Sequence, residues 1–215
     1  MVDHFGPQHW WPGDSPFEIM LGAVLTQNTN WQNVEKAIAN LKEAGCLSYE
    51  AMAGMPREEI AALIRPAGYY NVKADRLCNL FAMITNNWDG DLSYFLDQPR
   101  GVVREELLNV KGVGPETADA MVLYAAGYPI FVVDAYTHRI LSRHEIIPVD
   151  YGYFEIQELL MDNLTEDVEL YNEYHALLVQ TGKQFCKKTK PRCEQCPLAG
   201  VRGIEQWSAE SSLDW

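Results

Sequence analysis

Between Val110 and Pro115 the chain reads Val-Lys-Gly-Val-Gly-Pro, with helix-type apolar spacing on both sides. Gly112 and Gly114, two apart, let a backbone turn sharply around Val113 and expose its N–H groups. Pro115 stands where the next helix starts, a position that needs no N–H. The predicted product is a helix N-terminus with bare amides and a partial positive charge, suited to one phosphate. Such a site reads a nucleic-acid backbone, not its sequence. A buried apolar link then ends at Val133, and Asp134 opens a new helix. Farther on, Cys186, Cys193 and Cys196 are spaced C-x6-C-x2-C, three of the five cysteines. That crowding points to a reducing compartment and a metal-type cluster rather than disulfides. Lys183, Lys187, Lys188, Lys190 and Arg192 form a basic segment around them, and Lys111, Arg139 and Arg143 lie near the glycine turn. The formal net charge is −13, which argues against a generic nucleic-acid binder, but phosphate affinity depends on a local footprint. Lys111, Lys188 and Lys190 are the candidate phosphate contacts.

Two further groups carry possible chemistry. Trp10-Trp11-Pro12 offers either an aromatic wall or a segment packed on a neighbouring domain. Thr26-Gln27-Asn28-Thr29-Asn30-Trp31 puts amide side chains at a helix–helix junction, where Gln27 and Asn28 could bond base edges and fill the gap left by a flipped base. Asn28 and Asn30 read equally well as caps of the helix starting near Trp31.

The elements that must position these groups are helical throughout. Ser15-Pro16-Phe17-Glu18 is a helix start, with Ser15 as N-cap, Pro16 in the first turn and Glu18 closing a capping box. Phe17, Met20, Leu21, Val24 and Leu25 give that helix its buried face. Amphipathic spacing predicts further helices from Trp31 to Gly45, Pro56 to Ile64, through Leu77–Ile84, around Leu92–Leu96, from Arg104 to Val110, from Asp134 to Arg143, and near Tyr153–Asn163 and Val168–Gly182. Gly68 is read as a left-handed turn, and Lys73 either as a phosphate contact or as an exposed helix position. No strand-type alternation of any length appears, so the fold class is all-α. At 215 residues the chain has ample core for one or two domains.

The residues Leu107, Leu108, Gly112, Val113, Gly114, Thr117, Ala118 and Val133-Asp134 resemble the L-x-x-x-x-G-V-G-x-x-T-A…V-D pattern of the helix–hairpin–helix DNA glycosylases of the endonuclease III superfamily. Trp10-Trp11-Pro12, Phe17-Glu18…Thr26-Gln27-Asn28-Thr29 and Arg65-Pro66-Ala67-Gly68-Tyr69-Tyr70-Asn71-Val72-Lys73-Ala74 resemble the 3-methyladenine DNA glycosylase III branch. The resemblance implies two helical domains flanking a DNA-binding cleft. One is a six-helix domain over residues 16–128, ending in the helix–hairpin–helix. The other is residues 1–15 plus 129–215, with the cysteine loop. It implies Asp134 as the catalytic carboxylate and Trp10, Trp11 and Trp31 as the base pocket. Aromatic faces favour a cationic N-alkylated purine by about 0.5–2 kcal/mol each. Many members hold a [4Fe-4S] cluster through a fourth cysteine after five intervening residues; here that position is Arg202. A cluster with another fourth ligand, a zinc site and no metal all stay open. Bifunctional relatives carry a Schiff-base lysine where this chain has Glu116, which cannot form one.

The sequence thus reads as a monofunctional base-excision glycosylase for alkylated purines such as 3-methyladenine, acting on double-stranded DNA as a monomer. The alternatives are a glycosylase for mismatched or oxidised bases and a catalytically silent DNA-binding helical protein. No basic-then-apolar leader pattern and no membrane-length apolar run is present, so a cytoplasmic, nucleoid-associated protein is expected.

Overall fold

The computed structural model describes residues 1–203; the expected end of the second domain at 215 lies outside the described residues. Every regular element among the described residues is helical. In chain order they are α1 (Val2–Phe5), α2 (Pro16–Leu25), α3 (Trp31–Glu43), α4 (Tyr49–Ala53), α5 (Arg57–Leu63), α6 (Tyr70–Asn87), α7 (Leu92–Leu96), α8 (Arg100–Asn109), α9 (Pro115–Ala120), α10 (Ala135–Arg143), α11 (Tyr153–Asn163) and α12 (Val168–Gln184). A π-helical turn, Met121–Ala125, continues α9. None of these helices is long and apolar enough to cross a membrane.

The chain divides into two compact units. One is contiguous, Trp11–Tyr128; the other joins Met1–Trp10 to the described residues from Pro129 onward. Residues 11–15, expected with the terminal domain, belong to the contiguous unit. There Lys42 pairs with Asp14 (2.8 Å) and with Glu18 (3.1 Å).

In the contiguous unit α2 is the central helix, buried on almost every side by α3, α6, α9 and the π turn. Ser15 caps it by accepting the Glu18 N–H (3.2 Å). The capping box differs from expectation: the Glu18 carboxylate accepts from Asp14 N–H (3.3 Å), one residue before the cap. The short α4 was not foreseen; Ser48 caps it, accepting from Ala51 N–H (3.2 Å). The helix predicted from Arg104 begins at Arg100, directly after Pro99. Lys73 is neither a phosphate contact nor an exposed position. It is 1 % exposed, and its ammonium donates to Leu25 O (2.8 Å) and Ala67 O (2.7 Å). These carbonyls end α2 and the short 3-10 turn Arg65–Ala67, so one cation caps two helix C-termini. Burial, with Arg76 nearby, pushes the Lys73 ammonium down to about 8.

The terminal unit is built on α12, which buries Tyr171, Tyr174, His175, Leu177 and Leu178. Helix α10 packs along it, closest at Gly182, where any side chain would collide with the Tyr136 ring. The N-terminal segment is tied in by Gln8 N–H to the Glu173 carboxylate (2.9 Å).

Candidate active site

The hairpin between α8 and α9 is held from behind by side chains. Val113 is buried, anchoring the turn, and its N–H bonds inward to Val110 O (3.0 Å). Gly112 has φ +97, a conformation that favours glycine, and any Cβ there would collide with the Arg76 side chain. Gly114, by contrast, has an ordinary extended backbone with open space where a side chain would sit; its lack of a side chain leaves the α9 N-terminus uncovered. The turn's carbonyls are drawn back into the unit. Asn79 donates to Lys111 O (3.0 Å), and Gln27 donates to Gly112 O (3.3 Å) and Thr117 Oγ1 (2.9 Å). Arg76 in turn donates to Gln27 Oε1. With the carbonyls held inward, the N–H groups of Gly112 and Gly114 have no acceptor among the described residues, and Lys111 is exposed beside them. Gln27 therefore acts here as a strut of the hairpin, while Asn28 stands exposed at φ +54. Asn30 caps α3, accepting from Asn33 N–H (3.1 Å). Below the hairpin, Arg104 makes a two-pronged bond to the fully buried Asp119 (2.6 and 3.2 Å), locking α8 to α9. Arg76, Asn79 and Asp119 lie at helix positions that no motif in the sequence singles out. Glu116 is exposed in the first turn of α9.

In the terminal unit, Asp134 caps α10. The buried strand-like run Ile130–Val133 delivers it there, with Gln157 donating to Phe131 O (2.7 Å). Asp134 Oδ1 accepts from the Thr137 N–H (2.7 Å) and hydroxyl (2.9 Å). Oδ2 faces His175 Nε2 at 3.8 Å. Burial alone would raise the Asp134 carboxyl; His175 and the two Thr137 donors outweigh it and hold the group below the ordinary 3.8. It is an anion at neutral pH. Trp10 packs edge-on against the His175 ring (centroids 5.8 Å, 76°), and the Lys183 ammonium lies 5.6 Å over the Trp10 ring. Desolvation lowers the Lys183 ammonium, partly offset by the Asp134 charge. His175 was not foreseen: in the sequence it is one more position on a helix.

Trp11 and Trp31 come together in the contiguous unit, at right angles with centroids 5.4 Å apart. Tyr124 joins them, 5.1 Å from Trp11; the π turn, a feature common at functional sites, carries it. Gly22 makes the space, since a Cβ there would lie 3.3 Å from Trp11 Nε1 and 3.5 Å from the Trp31 ring. Trp10, expected in the same pocket, is counted with the other unit, where it packs on His175.

The cysteine loop is held to α10 by arginines. Arg139 donates to Cys186 O (2.7 Å); Arg143 donates to Lys187 O (2.7 Å), Lys188 O (3.0 Å) and Cys186 Sγ (3.5 Å). Cys186 is buried, Cys193 exposed and Cys196 in between, and Lys188 and Lys190 are exposed. The residues present do not fit a four-thiolate cubane: there are three thiols, and the guanidinium of Arg202 has no lone pair to give. Among the described residues no group of three or more His, Cys, Asp or Glu is placed to hold a metal.

Residues 21–166 match the family described as HhH-GPD superfamily base excision DNA repair protein. A Methanocaldococcus jannaschii protein assigned as DNA repair glycosylase MJ1434 is 44 % identical over 199 residues, spanning 92 % of this chain and 90 % of its own. Endonuclease III of Thermotoga maritima is 31 % identical over 183 residues, 85 % of this chain and 80 % of its own. Among solved structures, the 3-methyladenine DNA glycosylase (MagIII) of H. pylori bound to 1,N6-ethenoadenine is 32 % identical. It superposes with a TM-score of 0.70, covering 81 % of this chain and 88 % of that one. A trapped endonuclease III–DNA covalent intermediate gives a TM-score of 0.78 at 28 % identity over 93 % and 89 %. The chain belongs to the HhH-GPD superfamily and is a base-excision DNA glycosylase of the endonuclease III type.

Proposed function

We propose that this glycosylase removes cationic N-alkylated purines from double-stranded DNA by hydrolysis and leaves the strand intact, working as a monomer. The observation that carries the reading is the aromatic cluster of Trp11 and Trp31, backed by the buried Tyr124. Rings select a flipped base by charge and stacking. The similarity to the H. pylori 3-methyladenine glycosylase supports the same substrate class.

The chemistry needs little else. An alkylpurinium already carries the positive charge that a neutral purine acquires only by protonation, so its departure requires no general acid. As the bond from C1′ to the base nitrogen breaks, its electron pair goes to the ring and the base leaves neutral. Positive charge builds on the sugar, where the Asp134 anion stabilises it. Water then bonds to C1′ and gives a proton to Asp134. The hairpin amides and Lys111 hold a phosphate, and Lys188 and Lys190 add backbone contacts. At the hairpin position Glu116 stands where bifunctional relatives carry a lysine, and a carboxylate cannot form a Schiff base. No step passes through the cysteine loop.

The protein should release free 3-methyladenine from methylated duplex DNA, leave an intact abasic strand, and form no adduct on borohydride treatment. Release of oxidised pyrimidines or mismatched bases instead would overturn the substrate assignment, and a trapped adduct would overturn the hydrolytic one.

The tryptophans separate by role. Trp11→Ala and Trp31→Ala should each cost about 1–3 kcal/mol in excision of the cationic base, with little change in binding to undamaged DNA. Trp10→Ala should act differently. Its ring face already carries the Lys183 ammonium, which repels a cationic base, so its loss should alter the surroundings of Asp134 rather than discrimination between cationic and neutral bases. Melting temperatures and base release measured on all three variants check this. Reduced stability with normal activity per folded molecule would mean the tryptophans only pack the core.

A further inference from the structure

Asp134 has two carboxylate oxygens with unequal surroundings. Oδ1 is fully engaged by Thr137, whose N–H and hydroxyl approach to 2.7 and 2.9 Å. Those bonds hold the side chain as a cap from the Oδ1 side alone. Oδ2 is the one left to meet a sugar or a water, and the group facing it is the imidazole of His175, at 3.8 Å. His175 is 4 % exposed and sits on α12, the helix against which α10 packs. Its ring packs edge-on against the Trp10 ring, over which the Lys183 ammonium lies. Among the described residues, the titratable groups acting on Asp134 are His175 and Lys183, both from α12.

We infer that His175 is a positioning residue for this glycosylase, holding the second oxygen of Asp134 with its Nε2–H. The inference rests on the reading of Asp134 as the carboxylate at the reacting centre. A proton on Nε2 lets the ring donate to Oδ2 and orient it. The present separation exceeds a hydrogen bond, a looseness common to catalytic pairs before substrate closes around them. A carboxylate buried as this one is requires compensation, and without the imidazole only the Thr137 donors would remain.

The test begins on the whole protein without substrate. Nitrogen NMR of the wild type should show a proton on His175 Nε2, and carbon NMR should show Asp134 titrating below its ordinary value. A His175 Nε2 without a proton would overturn the proposal without any variant. His175→Phe, which keeps a ring against Trp10, should raise the Asp134 titration by about one pH unit or more, each unit being tenfold in the ionisation constant. His175→Gln, whose amide can donate, should recover much of that shift. Base release from methylated DNA should follow the same order. The acid limb of His175→Phe should move upward with KM little changed, and kcat at pH near 5 should fall relative to kcat at pH near 8. A folded His175→Phe with an unmoved Asp134 titration and an unmoved limb would overturn the proposal. If the wild type releases no base at all, the substrate reading fails, and the NMR arms still decide the pair.

Discussion

Asp134→Asn will give a folded protein that binds DNA but releases base about 10²–10⁴-fold more slowly than the wild type, the range spanned by loss of one catalytic proton acceptor. The substitution removes the charge and keeps the cap. Asparagine is as good an N-cap as aspartate, and its carbonyl can still accept the two Thr137 donors that now meet Oδ1. Asp134→Ala loses cap and charge together, adding about 0.5–2 kcal/mol of destabilisation. The pair of variants therefore separates catalysis from folding. Single-turnover base release with parallel melting curves is the measurement; near-wild-type turnover by the folded Asn variant would remove Asp134 from the mechanism. Because the Asp134 carboxyl is held below 3.8, the wild-type rate should show no acid limb from this group at neutral pH.

The largest expected effect on stability is at Lys73. Lys73→Ala leaves the carbonyls of Leu25 and Ala67 buried without their donor, at about 1–3 kcal/mol each, and opens a cavity where the methylenes were. A total near 4 kcal/mol would lower the melting temperature by roughly 10 °C for a chain of this size. Lys73→Met keeps most of the volume and should cost less. The pH dependence follows from the lowered ammonium. Between about 8 and the ordinary 10.5 the unfolded chain holds a proton that the folded chain has released. Stability attributable to this group therefore rises with pH across that window, by about 3 kcal/mol in all. Below it both states are protonated and the full cost of burying the charge remains. Lys73→Met should flatten the rise, and an equally steep profile in the variant would assign it to other groups. Lys73→Met should leave DNA affinity per folded molecule unchanged, because the buried ammonium meets no phosphate.

What the sequence made legible was mostly local. Ser15, Asn30 and Asp134 announce helix starts because an N-cap acts within three residues of itself, and all three side chains make the expected bond. The glycine turn is legible because its residues are contiguous. The rest depends on contacts that no spacing reveals. Lys73 reads as an exposed helix position until Leu25, 48 residues away, supplies the carbonyl that buries it. Tyr124 faces the tryptophans from a π turn whose register no 3.6-residue pattern contains. His175, on a helix rich in aromatic and apolar residues, reaches Asp134 only because Gly182 lets α10 approach. Trp10 and Trp11 look like one feature in sequence, yet the boundary between the two units falls between them.

That boundary has a consequence for how the chain is made. The contiguous unit, Trp11–Tyr128, is synthesised as one stretch and contains its own partners, so it can fold while the remainder is still emerging from the ribosome. The first ten residues cannot settle at that stage. Gln8 must wait for Glu173, 165 residues later, and Trp10 for His175. The terminal unit therefore closes last, around the 165-residue separation of Gln8 and Glu173. Because the entropy of such a closure grows only slowly with loop length, the delay is one of timing more than of stability. The surroundings of Asp134 are completed only when the end of α12 has been made.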